Sequence, residues 1–153
     1  GVPKGVVQVL TGGPEVGKKL VADLRTKLVV FTGSDKSGAA VGSAAAAHFA
    51  PAALELGGKS AQLVFADADL AAALDGVVEG ITGSCGQMCI AGSRLFIQES
   101  IAEQFIAQIR VRFESLVVGD PRGSGTQVGP QVTKAQAMKT LNYIEIAKKD
   151  GGG

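Results

Sequence analysis

The sequence predicts an α/β protein with parallel strands, arranged in two lobes. Three observations carry this. Short β-branched runs alternate with helix-like segments through residues 1–56, each pair joined by a glycine turn. Adjacent glycines, Gly57 and Gly58, interrupt the alternation, and a second strand–helix order follows in residues 57–153. Strands that alternate with helices at this spacing build a parallel sheet through crossover connections.

In chain order, Val6-Val-Gln-Val-Leu10 reads as a strand, Thr11–Gly17 as a turn and Lys18–Leu24 as a helix. The unit repeats: Lys27–Phe31 is a strand, Thr32–Gly38 a turn, and Ala39–His48 a small-residue helix with Ser34 or Asp35 as its N-cap. Ala52–Leu56 is a third strand. The glycine pair after it marks a hinge, placing the boundary between Leu56 and Gly57. Beyond it, Gln62–Phe65 is a strand, and Asp67 and Asp69 offer caps to a helix with Leu70, Leu74, Val77, Val78 and Ile81 at helical spacing. Leu95–Gln98 is a further strand. Ser100-Ile-Ala-Glu103 reads as a capping box opening the helix of Ile101, Phe105, Ile109 and Phe113. A turn-rich connection leads to a second capping box, Thr133–Gln136, and a helix expected to bury Ala137, Leu141 and Ile144 and to close near Lys148 and Lys149.

Composition narrows the function classes. The apolar residues, 46% of the chain, are mainly aliphatic, and Trp is absent, so the core should be aliphatic. A chain of this length accommodates one compact domain or two small lobes. Lys and Arg exceed Asp and Glu by one and are scattered, which gives no support to nucleic-acid or membrane-surface binding. No apolar run approaches the roughly 18 residues of a membrane-spanning helix. Two cysteines four residues apart make no disulfide framework, so the expected setting is a soluble protein in a reducing compartment, the cytoplasm. Cys85, Cys89 and the lone His48 are too few ligands and have no paired spacing, so no metal site is expected.

Several motifs admit a functional and a structural reading. Gly12-Gly-Pro-Glu-Val-Gly-Lys18 fits the pattern of a phosphate-cradling P-loop after a strand, but Lys19 stands where Ser or Thr would hold Mg²⁺, and Pro14 removes an amide donor. A phosphate-binding module therefore remains only as an alternative, with a non-catalytic structural remnant as another. The turn at Gly33–Gly38 offers amide donors at a helix start, suited to a pyrophosphate or merely to close packing. His48, at a helix end, suits carbonyl capping and receives no catalytic role. Glu55 lies in an apolar strand, where a carboxylate needs a partner, a function or an outward orientation. Cys85, Met88 and Cys89 extend the apolar series through Ile81, so both thiols can be read as the tail of a buried stripe. Alternatively, Gly83 and Gly86 loosen the helix end and expose them.

Three segments, Phe31-Thr-Gly-Ser34, Leu54-Glu-Leu-Gly-Gly-Lys-Ser60 and Gly86-Gln-Met-Cys-Ile-Ala-Gly-Ser-Arg94, resemble the cofactor turn, glutamate signature and cysteine signature of the aldehyde dehydrogenase superfamily. Glu55 and Cys89 are 34 residues apart, which suits the family. Phe65-Ala-Asp-Ala-Asp69 and Val118-Gly-Asp-Pro121 also resemble family segments. Ala61 departs from the family, which commonly has proline after Gly-Gly-Lys-Ser; the change touches the hinge rather than the chemistry.

The resemblance implies that Cys89 is the nucleophile, Glu55 the general base, and Cys85 without a catalytic counterpart. It implies that Gly33, Ser34, Asp35, Lys36, Ser37 and Gly38, with Leu56, lie along NAD or NADP. Residues 1–56 would then be the C-terminal half of a Rossmann-like cofactor domain, and 57–153 the start of an α/β catalytic domain. The implied reaction joins the Cys89 thiolate to an aldehyde carbon, moves hydride to the nicotinamide, and hydrolyses the Cys89 thioester with a water deprotonated by Glu55, giving a carboxylic acid. Family members are about three times longer and form homodimers or homotetramers. The resemblance therefore implies a central portion of such an enzyme, inactive by itself, with a small-molecule aldehyde as substrate.

Overall fold

A computed structural model describes residues 1–152 and divides the chain into two compact units, Gly1–Gly57 and Gly58–Gly153. The division falls one residue beyond the boundary read from the glycine pair.

The first unit contains α1 (Pro14–Ala22), β1 (Val29–Thr32), α2 (Asp35–Ala46) and β2 (Ala52–Glu55). The two strands pair in parallel, in a register that sets Val29 opposite Ala52 and Thr32 opposite Glu55. Val29, Ala45 and Ala50 are buried, with Val21, Phe31 and Val41 packed around them. Ala45 has no exposed surface. A side chain this small lets the helix approach the sheet closely at that position. His48 bonds through a ring nitrogen to the Val21 carbonyl at 2.8 Å and ties the end of α2 to α1, a structural role.

Two expectations for this unit fail. Val6–Leu10 forms no strand; Val6, Val7, Val9 and Leu10 are 63–83% exposed. β-Propensity is realised only where a neighbouring strand completes the ladder, and among the described residues β1 pairs with β2 alone. The glycine turn before α1 is also shorter than expected. Pro14 opens the helix near its first position, where a missing N–H costs nothing, so Gly17 and Lys18 lie within α1. A P-loop needs a preceding strand and an open loop ahead of its Gly-Lys pair. No strand precedes here and Pro14–Val16 are already helical, so the structure lends the phosphate-binding alternative no support.

The second unit contains β3 (Ala61–Val64), α3 (Leu70–Thr82), a short 3₁₀ turn (Gly83–Gly86), β4 (Arg94–Ile97), α4 (Glu99–Glu114) and α5 (Lys134–Lys149). β3 and β4 are parallel, with Ala61 opposite Arg94 and Val64 opposite Ile97. Asp69 caps α3 by accepting from the amides of Ala71 and Ala72 at 3.1 and 3.2 Å. The core gathers Val64, Val77, Phe105 and Ile109 between sheet and helices, with Leu70, Leu74, Leu95 and Ile101 around it. Phe105, 1% exposed, is its centre. Truncation by Phe105→Ala is expected to cost about 3–5 kcal/mol through lost burial and an unfilled cavity. In urea denaturation it should appear as a lower midpoint at unchanged slope; an unchanged midpoint would show that Phe105 is not the packing centre.

The second capping box is half realised: Thr133 accepts from the Gln136 amide at 3.2 Å and starts α5. The first is not. α4 begins at Glu99 with Gln98 as N-cap, leaving Ser100 and Glu103 inside the helix. Pairing with β3 decides the start, because the Gln98 amide donates to the Val64 carbonyl and its side chain accepts from the Ala66 amide, both at 2.9 Å. That fixes the chain reversal two residues before Ser100. The expected burial along α5 is also overturned. Leu141 and Ile144 are 55% and 45% exposed, and Ala137 is only half-buried. Helical periodicity identifies an apolar face, and an opposing surface must still be present to cover it.

Candidate active site

In the first unit, the carboxyl ends of β1 and β2 meet the N-terminus of α2. The Gly33 amide donates to the Glu55 carbonyl at 3.1 Å, carrying the ladder one residue beyond β1. Ser34 caps α2: its Oγ accepts from the Ser37 amide at 3.3 Å and lies 3.1 Å from Ser37 Oγ. The Asp35 and Lys36 amides precede any intrahelical acceptor and remain available to an anion. Ser34, Asp35, Lys36 and Ser37 are all exposed.

Gly38 and Leu56 meet by packing. Gly38 is buried, and a Cβ there would lie 2.5 Å from Leu56 Cδ2. The glycine lets the strand end run against the first turn of the helix. Glu55 is exposed and makes no ion pair among the described residues, so its carboxylate needs no buried partner. The unit thus brings Glu55 to the same strand ends as Gly33–Gly38, where ligands bind in open parallel sheets.

In the second unit, the apolar stripe of α3 does not continue to the cysteines. The helix ends at Thr82, and Gly83 leaves it with φ −49° and ψ 134°. Ser84 and Cys85 then adopt left-handed φ values of 49° and 59°, followed by Gly86 at 71°. For non-glycine residues this conformation costs about 1–2 kcal/mol each, and it persists only where neighbouring contacts over-determine it. The turn separates the two thiols: Cys85 is half-buried and Cys89 exposed, both free.

The loop bearing Cys89 is fastened on its far side as well. Gln62, from β3, donates its amide to the Gly92 carbonyl at 2.8 Å and to the Val77 carbonyl at 3.2 Å. The Gly92 amide donates to the Gly80 carbonyl at 2.9 Å. Gly92 has no room for a side chain, since a Cβ would lie 2.5 Å from Gln62 Cγ. Gly58 is equally confined, its Cβ position lying 2.5 Å from the Cys89 carbonyl oxygen. Arg94 Nε reaches the Lys59 carbonyl at 2.9 Å. The Gly58–Ser60 segment, read from sequence as a hinge, is thus also a wall of the cysteine loop. Sequence reasoning missed Gln62. Its signal was a polar side chain within an apolar strand, which needs partners when half-buried.

Two carboxylates lie below their ordinary pKa range, and neither belongs to these sites. Side-chain hydrogen bonds from Arg25 and Arg122 lower Asp23 and Asp120 in exposed Asp-x-Arg turns. Among the described residues no three His, Cys, Asp or Glu side chains gather as a metal centre, and no helix is long and apolar enough to cross a membrane.

The sequence model of the aldehyde dehydrogenase family matches residues 1–153. The chain belongs to the aldehyde dehydrogenase family. It is 44% identical over 151 residues to a betaine aldehyde dehydrogenase of Sinorhizobium fredii, covering 99% of this chain and 31% of that protein. It is 41% identical over 159 residues to a hydroxyisobutyraldehyde dehydrogenase of Mycolicibacterium austroafricanum, covering 100% of this chain and 32% of that protein. Among solved structures, an NAD-dependent aldehyde dehydrogenase from Sinorhizobium meliloti superposes with a TM-score of 0.94 at 39% identity, covering 99% of this chain and 30% of that one. The chain thus spans about a third of the length of the curated aldehyde dehydrogenases it matches. The solved relative supports the parallel α/β, Rossmann-like architecture.

Proposed function

We propose that the protein carrying this chain oxidises an aldehyde to a carboxylic acid, with NAD or NADP accepting hydride. The observation that carries this reading is the exposed Cys89 thiol, which follows a left-handed turn in a loop anchored beyond it at Gly92. Family membership supports it, as does the NAD dependence of the solved Sinorhizobium meliloti relative. Residues 1–56 are proposed as the C-terminal half of the cofactor domain, and 57–153 as the start of the catalytic domain.

The exposed first turn of α2 fits a dinucleotide. The Asp35 and Lys36 amides and the Ser34 and Ser37 hydroxyls would face its phosphates, while Gly33, Gly38 and Leu56 would shape the floor. The bound nicotinamide supplies an acceptor for hydride.

The chain's own groups do the rest. Cys89 Sγ, as thiolate, bonds to the aldehyde carbon, and nearby backbone amides are candidate donors to the new oxyanion. Loss of hydride from that carbon leaves a thioester on Cys89. Glu55 takes a proton from water as the hydroxyl oxygen bonds to the thioester carbon, and the C–S bond breaks to release the acid and restore the thiolate. A thiol serves because sulfur is both a strong nucleophile and a good leaving group. The two free thiols fit a reducing compartment such as the cytoplasm, and the proposed assembly is a homodimer or homotetramer.

The test assays the full-length protein with several aldehydes and either nucleotide, before and after iodoacetamide treatment. Nucleotide reduction should match acid formation and disappear as Cys89 is alkylated. The 153-residue chain alone should show little or no turnover. Absence of activity with an unreactive Cys89 would favour a structural remnant, and robust turnover by the isolated chain would overturn its proposed inactivity.

A further inference from the structure

Gln131 lies in the turn-rich connection between α4 and α5, where the sequence shows no periodicity. Its Nε2 donates to the Cys85 carbonyl at 3.0 Å, joining positions 46 residues apart in a part-buried contact. The adjacent Val132 amide donates back to Gln87 Oε1 at 2.9 Å. Gln87 closes the other end of the turn: its Nε2 donates to the Ser84 carbonyl at 3.3 Å, and its backbone amide donates to the same oxygen at 3.1 Å. Within this turn the two non-glycine residues held left-handed, Ser84 and Cys85, therefore each present a carbonyl to a glutamine amide.

These contacts account for a conformation that would otherwise relax. The Ser84 contact is local and travels with the turn. The Cys85 contact comes from a distant segment and fixes the turn in space. Cys89 follows four residues later, so the orientation of the turn sets the starting point of the backbone that carries the thiol.

We propose that Gln131 is a positioning residue for Cys89, acting through the Cys85 carbonyl to hold the Ser84–Gly86 turn left-handed. The proposal rests on the reading of Cys89 as the nucleophile. Gln131 supplies the long-range anchor before the thiol, as Gln62 does after it at Gly92.

The experiment uses the full-length protein with Gln131→Met, similar in length but lacking the donor, and Gln131→Asn, which retains an amide but is one methylene shorter. Gln127→Met is the control. Gln127 lies in the same connection, and its Oε1 accepts from the Val117 amide at 3.1 Å. Iodoacetamide labelling of Cys89 is followed by peptide mass spectrometry across pH, alongside kcat and KM.

Both Gln131 variants should move the midpoint of the labelling profile by at least about half a pH unit. They should lower kcat by about tenfold, with KM for aldehyde within about twofold of the parent. Gln127→Met should leave the labelling profile in place. The proposal is overturned if the Gln131 variants label and turn over like the parent, or if Gln127→Met shifts the profile equally, as general loosening would. Should Gln131→Met fail to fold, Gln131→Asn alone decides by the same criteria. If Cys89→Ser keeps its turnover, the nucleophile reading fails, while the Cys89 labelling profile still judges the anchor.

Discussion

Replacing Cys89 by serine is expected to lower aldehyde oxidation by the full-length protein by at least about 10³-fold. An unperturbed thiol with a pKa of about 8.5 is a few per cent ionised at neutral pH, whereas a serine hydroxyl is essentially un-ionised. The loss should also extend to the first turnover. Attack precedes hydride transfer, so rapid mixing of Cys89→Ser with aldehyde and nucleotide should show no burst of reduced cofactor. Cys85→Ser separates the two thiols. Cys85 is half-buried within the left-handed turn, so the burst should survive its replacement. Turnover by Cys89→Ser within tenfold of the parent would remove Cys89 from the chemistry.

Glu55→Gln is expected to have the second-largest effect, at a different step. An amide cannot take the proton from the hydrolytic water, but attack and hydride transfer do not require that base. The variant should therefore release up to one equivalent of reduced cofactor per active site rapidly, then turn over about 10²–10⁴-fold more slowly than the parent. The stalled species should be a thioester, and hydroxylamine should discharge it. A parent-like steady state with no burst would exclude Glu55 as the base. The exposed carboxylate at the end of β2 is open to water as this role requires.

Local signals were legible where they did not compete with long-range ones. The runs at Val29–Thr32 and Ala52–Glu55 form strands, and the caps at Ser34, Asp69 and Thr133 form because each side chain reaches an amide two or three residues away. Ser100 had the same local chemistry and lost it, because the pairing of β4 with β3 reversed the chain two residues earlier. Val6–Leu10 had the propensity of a strand without a ladder to join, and α5 had an apolar face without a surface to cover it.

The sequence by itself determined the parallel α/β class, the glycine-marked division near residue 57, the family through its two signatures, and Glu55 and Cys89 as candidates. Each depends on residue identity and short spacing. Only the tertiary structure decided that the stripe through Ile81 stops before the cysteines, that Cys85 turns inward while Cys89 is exposed, and that Gln62 and Gln131 anchor the loop between them. The physical reason lies in the range of the contacts. The left-handed turn is unfavourable as a local conformation and is held partly by a hydrogen bond spanning 46 residues, which no local pattern of helix-forming or apolar residues encodes.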